Sequence, residues 1–194
     1  GLGDVYKRQV SLLRAAGQVG LTSAHHHGGG KSMFLTTYVD APNTPLFPLG
    51  HGLSYTTWEY ERVEVAMGTA ADDVIVEVDL HNSGTRDGEE VVQVYVRDET
   101  ASVGVVAKRL MAFQRVAVAA GQRVQLRFTI PGGRFGFHGA DVRYRVEPGD
   151  VTVLVGGLVG GLEHSATITG DVVHPDPNGV PAFVCRVAAS GGAS

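Results

Sequence analysis

The chain has 194 residues, 43% of them apolar and 19% charged, with a formal net charge of -4, a balance that excludes wholesale disorder. Sixteen Lys and Arg against 20 Asp and Glu make no positive field for a nucleic acid, and no apolar run approaches the roughly 20 residues that cross a bilayer. The single Cys185 rules out an intrachain disulfide and a cysteine-rich zinc site.

With no initiator Met and no leader-like segment at Gly1, the sequence reads as part of a longer polypeptide. Residues 1–16 read as a non-native or fragment end, in which Ser11 to Ala16 could close a short helix capped by Gly17. Gln18 to Ser23 is strand-like, and an irregular His/Gly/Pro-rich passage follows to Gly52. Residues 17–52 are too short to form a core alone and read as the end of a preceding domain plus a linker.

From Trp58 onward the period-two pattern of half-buried strands takes over. A leading strand spans Trp58 to Val65. Val74, Val76, Val78 and Leu80 then oppose Glu77, Asp79 and His81, with Ile75 as the misfit. Val92, Val94 and Val96 repeat the pattern, and Val124, Leu126, Phe128 and Ile130 oppose Arg123, Gln125, Arg127 and Thr129. Leu110 to Val118, Val142 to Val146, Val151 to Val155 and Ala166 to Val172 complete the set. Asn82-Ser83-Gly84, Arg86-Asp87-Gly88, Ala120-Gly121, Pro131-Gly132-Gly133 and Pro148-Gly149-Asp150 supply the turns between them. Short strands at this spacing, with no helical period between them, predict an all-β fold: an immunoglobulin-like or fibronectin III-like antiparallel sandwich over 53–173. Residues 174–194, with three prolines and a closing Ser-Gly-Gly-Ala-Ser, are expected to form a flexible tail.

The stretch Pro45-Leu46-Phe47-Pro48-Leu49-Gly50-His51-Gly52-Leu53-Ser54-Tyr55-Thr56 resembles the entry into the C-terminal fibronectin III-like domain of family 3 glycoside hydrolases, the β-glucosidases and β-xylosidases. Glu90 to Asp98, Lys108 through Phe113-Gln114-Arg115-Val116, and Val146 to Asp150 running into Val155-Gly156 continue the resemblance in order. Upstream, Gly17-Gln18-Val19 and His25 to Ser32 are similar to the last strand of that family's α/β sandwich domain and its following loop. The chain departs from the family pattern at Gly20, Thr22, Ser23 and Lys31, and Gly1 to Gln9 resembles a translated adapter remnant. The resemblance implies a parent enzyme that removes terminal β-linked glucose or xylose by double displacement, without a cofactor. It also implies that the nucleophile and the acid/base residue lie in domains upstream of Gly1, so that this segment is a structural, interdomain-packing module. On this reading the chain's partners are its own upstream catalytic domains and, through the parent, an oligosaccharide or glycoside substrate.

Carboxylate pairs are the chemistry such a hydrolase needs, and Asp72-Asp73 and Glu89-Glu90 are the tempting ones. Neighbours along a strand point to opposite faces, and both pairs lie beside turns, so solvated carboxylates are the better reading and no catalytic residue is assigned. Gly28-Gly29-Gly30-Lys31-Ser32 resembles the end of a phosphate loop, but His25 occupies the place of the required first glycine and no helical pattern follows. Consecutive His25-His26-His27 seldom converge on one ion, so adventitious nickel or zinc affinity is the better reading and no metal site is assigned.

Pro42, Pro45 and Pro48 stiffen the linker, and the aromatics after it offer large apolar surface with polar tips. Such a linker docks, and Phe47, His51, Tyr55, Trp58 and Lys108 are its candidate interdomain contacts. The loop Asp98 to Ala107, closed by Lys108-Arg109, reads as a surface loop that could join them. The alternative function is a stand-alone sandwich that binds carbohydrate or protein, which would place exposed aromatics in a row on one face.

Overall fold

Alternation at every second residue decides which side of each strand meets the core. The computed structural model describes residues 46–47, 51–67, 71–103, 108–156 and 162–189. Among them the strands are β1 (Trp58–Ala66), β2 (Val74–Asn82), β3 (Gly88–Asp98), β4 (Arg109–Val118), β5 (Arg123–Ile130), β6 (Phe137–His138), β7 (Tyr144–Arg145), β8 (Gly149–Val155), β9 (Leu162–Ile168) and β10 (Val184–Ala189). One sheet has the order β1-β2-β5-β10 and the other β4-β3-β8-β9, while β6 and β7 form a small ribbon. The chain changes sheet between β2 and β3, between β4 and β5, between β5 and β8, and between β9 and β10. All recorded pairings are antiparallel, and the fold is the immunoglobulin-like, fibronectin III-like sandwich that the strand pattern implies.

Val74, Val76, Val78 and Leu80 of β2 and Leu126, Phe128 and Ile130 of β5 bury their side chains from one sheet. Val92, Val94 and Val96 of β3 and Val151, Val153 and Val155 of β8 answer from the other. Each such side chain contributes about 1.5–3 kcal/mol on burial, which makes this cluster the main source of stability. Two bulges alter the alternation. One, between Tyr60 and Arg62 of β1, leaves Glu61 and Arg62 both outward. The other, opposite Val94 and Tyr95, lets both Met111 and Ala112 of β4 face the core.

Three segments depart from the sequence reading. Val142 to Val146 is expected as one strand, but Val142 sits at φ 64 in the turn after Gly139, only Tyr144–Arg145 form a strand, and Val146 makes a lone antiparallel bridge to Val173. The Gly139-Ala140-Asp141 reversal takes precedence over the β preference of Val142. The expected strand Ala166 to Val172 lies further upstream, as Leu162–Ile168, because Gly170 turns the chain at φ 92. Residues 174–194 are expected as a flexible tail, yet β10 lies within them and pairs with β5 from Val184↔Thr129 to Ala189↔Val124. The open edge of β5 offers a row of unpaired N–H and C=O groups, and the β-forming Val184 to Val187 segment fills it. The short helix at 11–16, the strand-like 18–23, the glycine-lysine segment 28–32 and His25 to His27 all lie outside the described residues.

Candidate docking face

The segment 51–57 enters β1 across the turn that follows β2, and fully buried Asn82 holds the junction. Its side-chain amide donates to the carbonyls of Arg86 (2.8 Å) and Val118 (2.9 Å). Its Oδ1 accepts from the Thr56 hydroxyl (2.6 Å) and the Gly84 N–H (3.2 Å), so all four of its hydrogen-bonding positions are used. Ser83 N–H donates to the Thr57 carbonyl at 3.0 Å. The incoming chain passes so close to Gly84 that a Cβ there would lie 2.1 Å from Thr56 Oγ1 and 2.7 Å from Thr57 N. Glycine is required at that position by contact.

Beyond this seat a groove of about 700 Å³ runs between the incoming segment and the outer face of β3 and β4. His51, Leu53 and Trp58 line one side, and Val91, Leu110 and Phe113 the other. The surface is apolar and open: Leu53 is 96% exposed and Phe113 51%. Trp58 rests half-buried against the core, and its indole N–H donates to Ser54 Oγ at 3.0 Å. Glu89 and Glu90 border the groove from opposite faces of β3. Glu89 is exposed and ion-paired with Arg115, while Glu90 accepts the Tyr60 hydroxyl at 3.0 Å. Burial pushes the Glu90 carboxyl above its ordinary range, with the Tyr60 hydrogen bond acting in the other direction. Burial and the Glu90 carboxylate both push the Tyr60 phenol upward, so it remains a donor. Asp72 and Asp73 are exposed at the turn before β2.

Of the residues singled out from sequence, the structure brings His51 and Trp58 together in the groove. Phe47 stacks on His51, with ring centroids 4.8 Å apart and planes tilted by 33°. Tyr55 points into solvent at 96% exposure, outside the groove lining. Lys108 is half-buried just before β4, away from the groove, and its neighbour Arg109 turns inward onto the carbonyls of Gly136 (2.7 Å) and Phe135 (2.6 Å). The loop before it is anchored at Ser102, whose N–H and hydroxyl both donate to Glu147, while 104–107 lie outside the described residues. Val91, Leu110 and Phe113 were not singled out. Their signal was nonetheless available, since Val91 beside Val92 and Phe113 beside Ala112 put apolar side chains where a half-buried strand should be polar.

Residues 90–159 match the fibronectin type III-like domain family. A periplasmic β-glucosidase of Salmonella typhimurium is 32% identical over 158 residues, which are 77% of this chain and 21% of the relative. A β-xylosidase of Formosa agariphila is 36% identical over 162 residues, 79% of this chain and 22% of that protein. Among solved structures, a β-glucosidase from Listeria innocua in complex with gluconolactone superposes with a TM-score of 0.75 at 28% identity, covering 84% of this chain and 24% of the other. One from Erythrobacter marinus gives 0.74 at 32% identity, covering 82% of this chain and 21% of the other. The chain thus spans about a fifth of the length of the curated relatives it matches.

Proposed function

Since the chain carries a fibronectin type III-like domain and is a homologue of the family 3 β-glucosidases and β-xylosidases, we propose that it is the C-terminal accessory module of a β-glycosidase. In this reading the parent hydrolyses terminal β-linked glucose or xylose, its catalytic carboxyl groups lie upstream, and the module acts by packing against those domains. The observation that carries the reading is the groove: a polar sandwich surface is interrupted by Leu53, Val91, Leu110 and Phe113 beside the segment that would join the module to its neighbour. Exposed apolar surface of this kind costs solubility unless something covers it. An upstream domain on the same polypeptide is held at high effective concentration and needs little intrinsic affinity to do so. Phe47, His51, Tyr55, Trp58 and Lys108 complete the proposed contact zone.

The test is a pair of substitutions, Leu53→Ser and Val91→Ser, introduced into the polypeptide encoded by the full gene. Leu53 is 96% exposed and Val91 42%, and neither belongs to the core cluster, so the isolated module should keep its melting temperature. The full polypeptide should melt several degrees lower and lose hydrolysis of p-nitrophenyl β-glycosides on mild heating. An unchanged full-length melting temperature would remove the groove from the interface. A groove that instead binds soluble β-glucan in the isolated module would favour the stand-alone binding function.

A further inference from the structure

On the opposite face of the molecule, the outer side of the first sheet gathers two carboxylates and an imidazole. Glu59 and Glu61 belong to β1 and His81 to β2, paired directly across from Glu59. Ordinary strand alternation puts Glu61, two residues on, on the same side as Glu59, and the bulge then leaves Arg62 outward as well. His81 Nδ1 lies 3.4 Å from Glu59 Oε2 and 3.3 Å from Glu61 Oε1, and one ligand atom from each of the three residues falls within 4.8 Å of the others.

We propose that Glu59, Glu61 and His81 bind a zinc ion that ties β1 to β2, a role independent of the docking groove. Donors about 2.0–2.1 Å from a tetrahedral zinc are separated by about 3.3–3.4 Å. Donors at right angles around an octahedral magnesium are only about 2.9–3.0 Å apart. Both imidazole-to-carboxylate separations match the tetrahedral edge. One nitrogen and two oxygens form a donor set suited to zinc, and the open side of the cluster leaves room for water as the fourth ligand. The imidazole is largely enclosed, at 14% side-chain exposure, so its position is set, while Glu59 at 57% is free to swing the remaining distance.

Arg123, paired with His81 in the β2–β5 register, fixes the third ligand. Its guanidinium grips both oxygens of Glu61, with Nε at 3.1 and 3.0 Å and Nη2 at 2.9 Å. The same guanidinium opposes the charge of the ion, which sets the affinity below that of two unpaired carboxylates. The consequence of binding would be structural. Ligands from adjacent strands close a clamp over the first strand after the linker, and an ion bound only to the folded state adds its binding free energy to stability.

The experiment uses the full chain with His25→Ser, His26→Ser and His27→Ser, because consecutive histidines also take up these ions. Zinc is titrated into EDTA-treated protein by calorimetry, and cobalt is added in parallel as a coloured probe of geometry. The expected result is one saturable zinc equivalent, intense visible cobalt bands of a tetrahedral site, and a melting temperature raised by zinc. Glu59→Gln and His81→Ala should each weaken binding roughly tenfold or more. Glu59 is exposed, so its variant keeps the test decisive if His81→Ala fails to fold. Absence of saturable binding in the background lacking His25 to His27, or binding that Glu59→Gln leaves unchanged, overturns the proposal.

Discussion

Asn82 shows how much one side chain can organise. It closes β2, caps the turn to β3 and holds Thr56 of the incoming segment, using both donors and both acceptors in a fully buried site. Replacing it by Ala strands the Arg86 and Val118 carbonyls and the Gly84 N–H, each at about 1–3 kcal/mol when no water reaches it. Asn82→Ala should therefore lower unfolding stability by about 3 kcal/mol or more, measured as a shift of the urea midpoint. Replacing an exposed polar side chain, as in Gln122→Ala, should cost far less, and equal losses in the two would contradict the clamp. In the sequence Asn82-Ser83-Gly84 was legible as a turn, since each residue favours one. That its side chain would also reach Val118, 36 positions on, was not legible, because that contact depends on two strands in different sheets.

At the scale of elements, the central strands were the most legible, because burial of a single face enforces alternation. β2 and β5 therefore fell where Val74 to Leu80 and Val124 to Ile130 predicted them. β10 was hidden for the opposite reason. Its outer position leaves Val184, Arg186 and Val187 exposed, and only Cys185 and the preceding Phe183 turn toward the core, so no periodic signal accompanies it. Phe183 meets Phe113 of the other sheet, with ring centroids 5.6 Å apart, and so joins the last strand to the edge of β4. Phe183→Ala should cost about 1–2 kcal/mol, from lost apolar burial and the aromatic pair. The urea midpoint should fall with an unchanged slope. No loss of stability would mean that β10 is held by backbone pairing alone.

For the whole molecule, the fold and the kinship with β-glycosidases were both legible, the first from strand spacing and the second from motifs such as Pro45 to Thr56. The candidate docking face was half legible. Aromatic residues near the linker drew attention to His51 and Trp58, whereas Val91 and Phe113 of the opposite wall stand out in sequence only as breaks in the alternation, and register, with Gln93 against Phe113, brings them to one face. The same register separates Glu89 from Glu90 across a strand, each with its own partner, so the pair that most resembles a hydrolytic couple in sequence is divided in space.

The central claim, that this is the accessory part of a β-glycosidase whose chemistry resides elsewhere on the polypeptide, is tested most directly by hydrolysis. Turnover of p-nitrophenyl β-glucoside and β-xyloside would be measured for this chain and for the product of the full gene at equal concentration. The account predicts turnover by the full product and none by this chain. Turnover by this chain alone, or a full product with no glycosidase activity on either substrate, would contradict it.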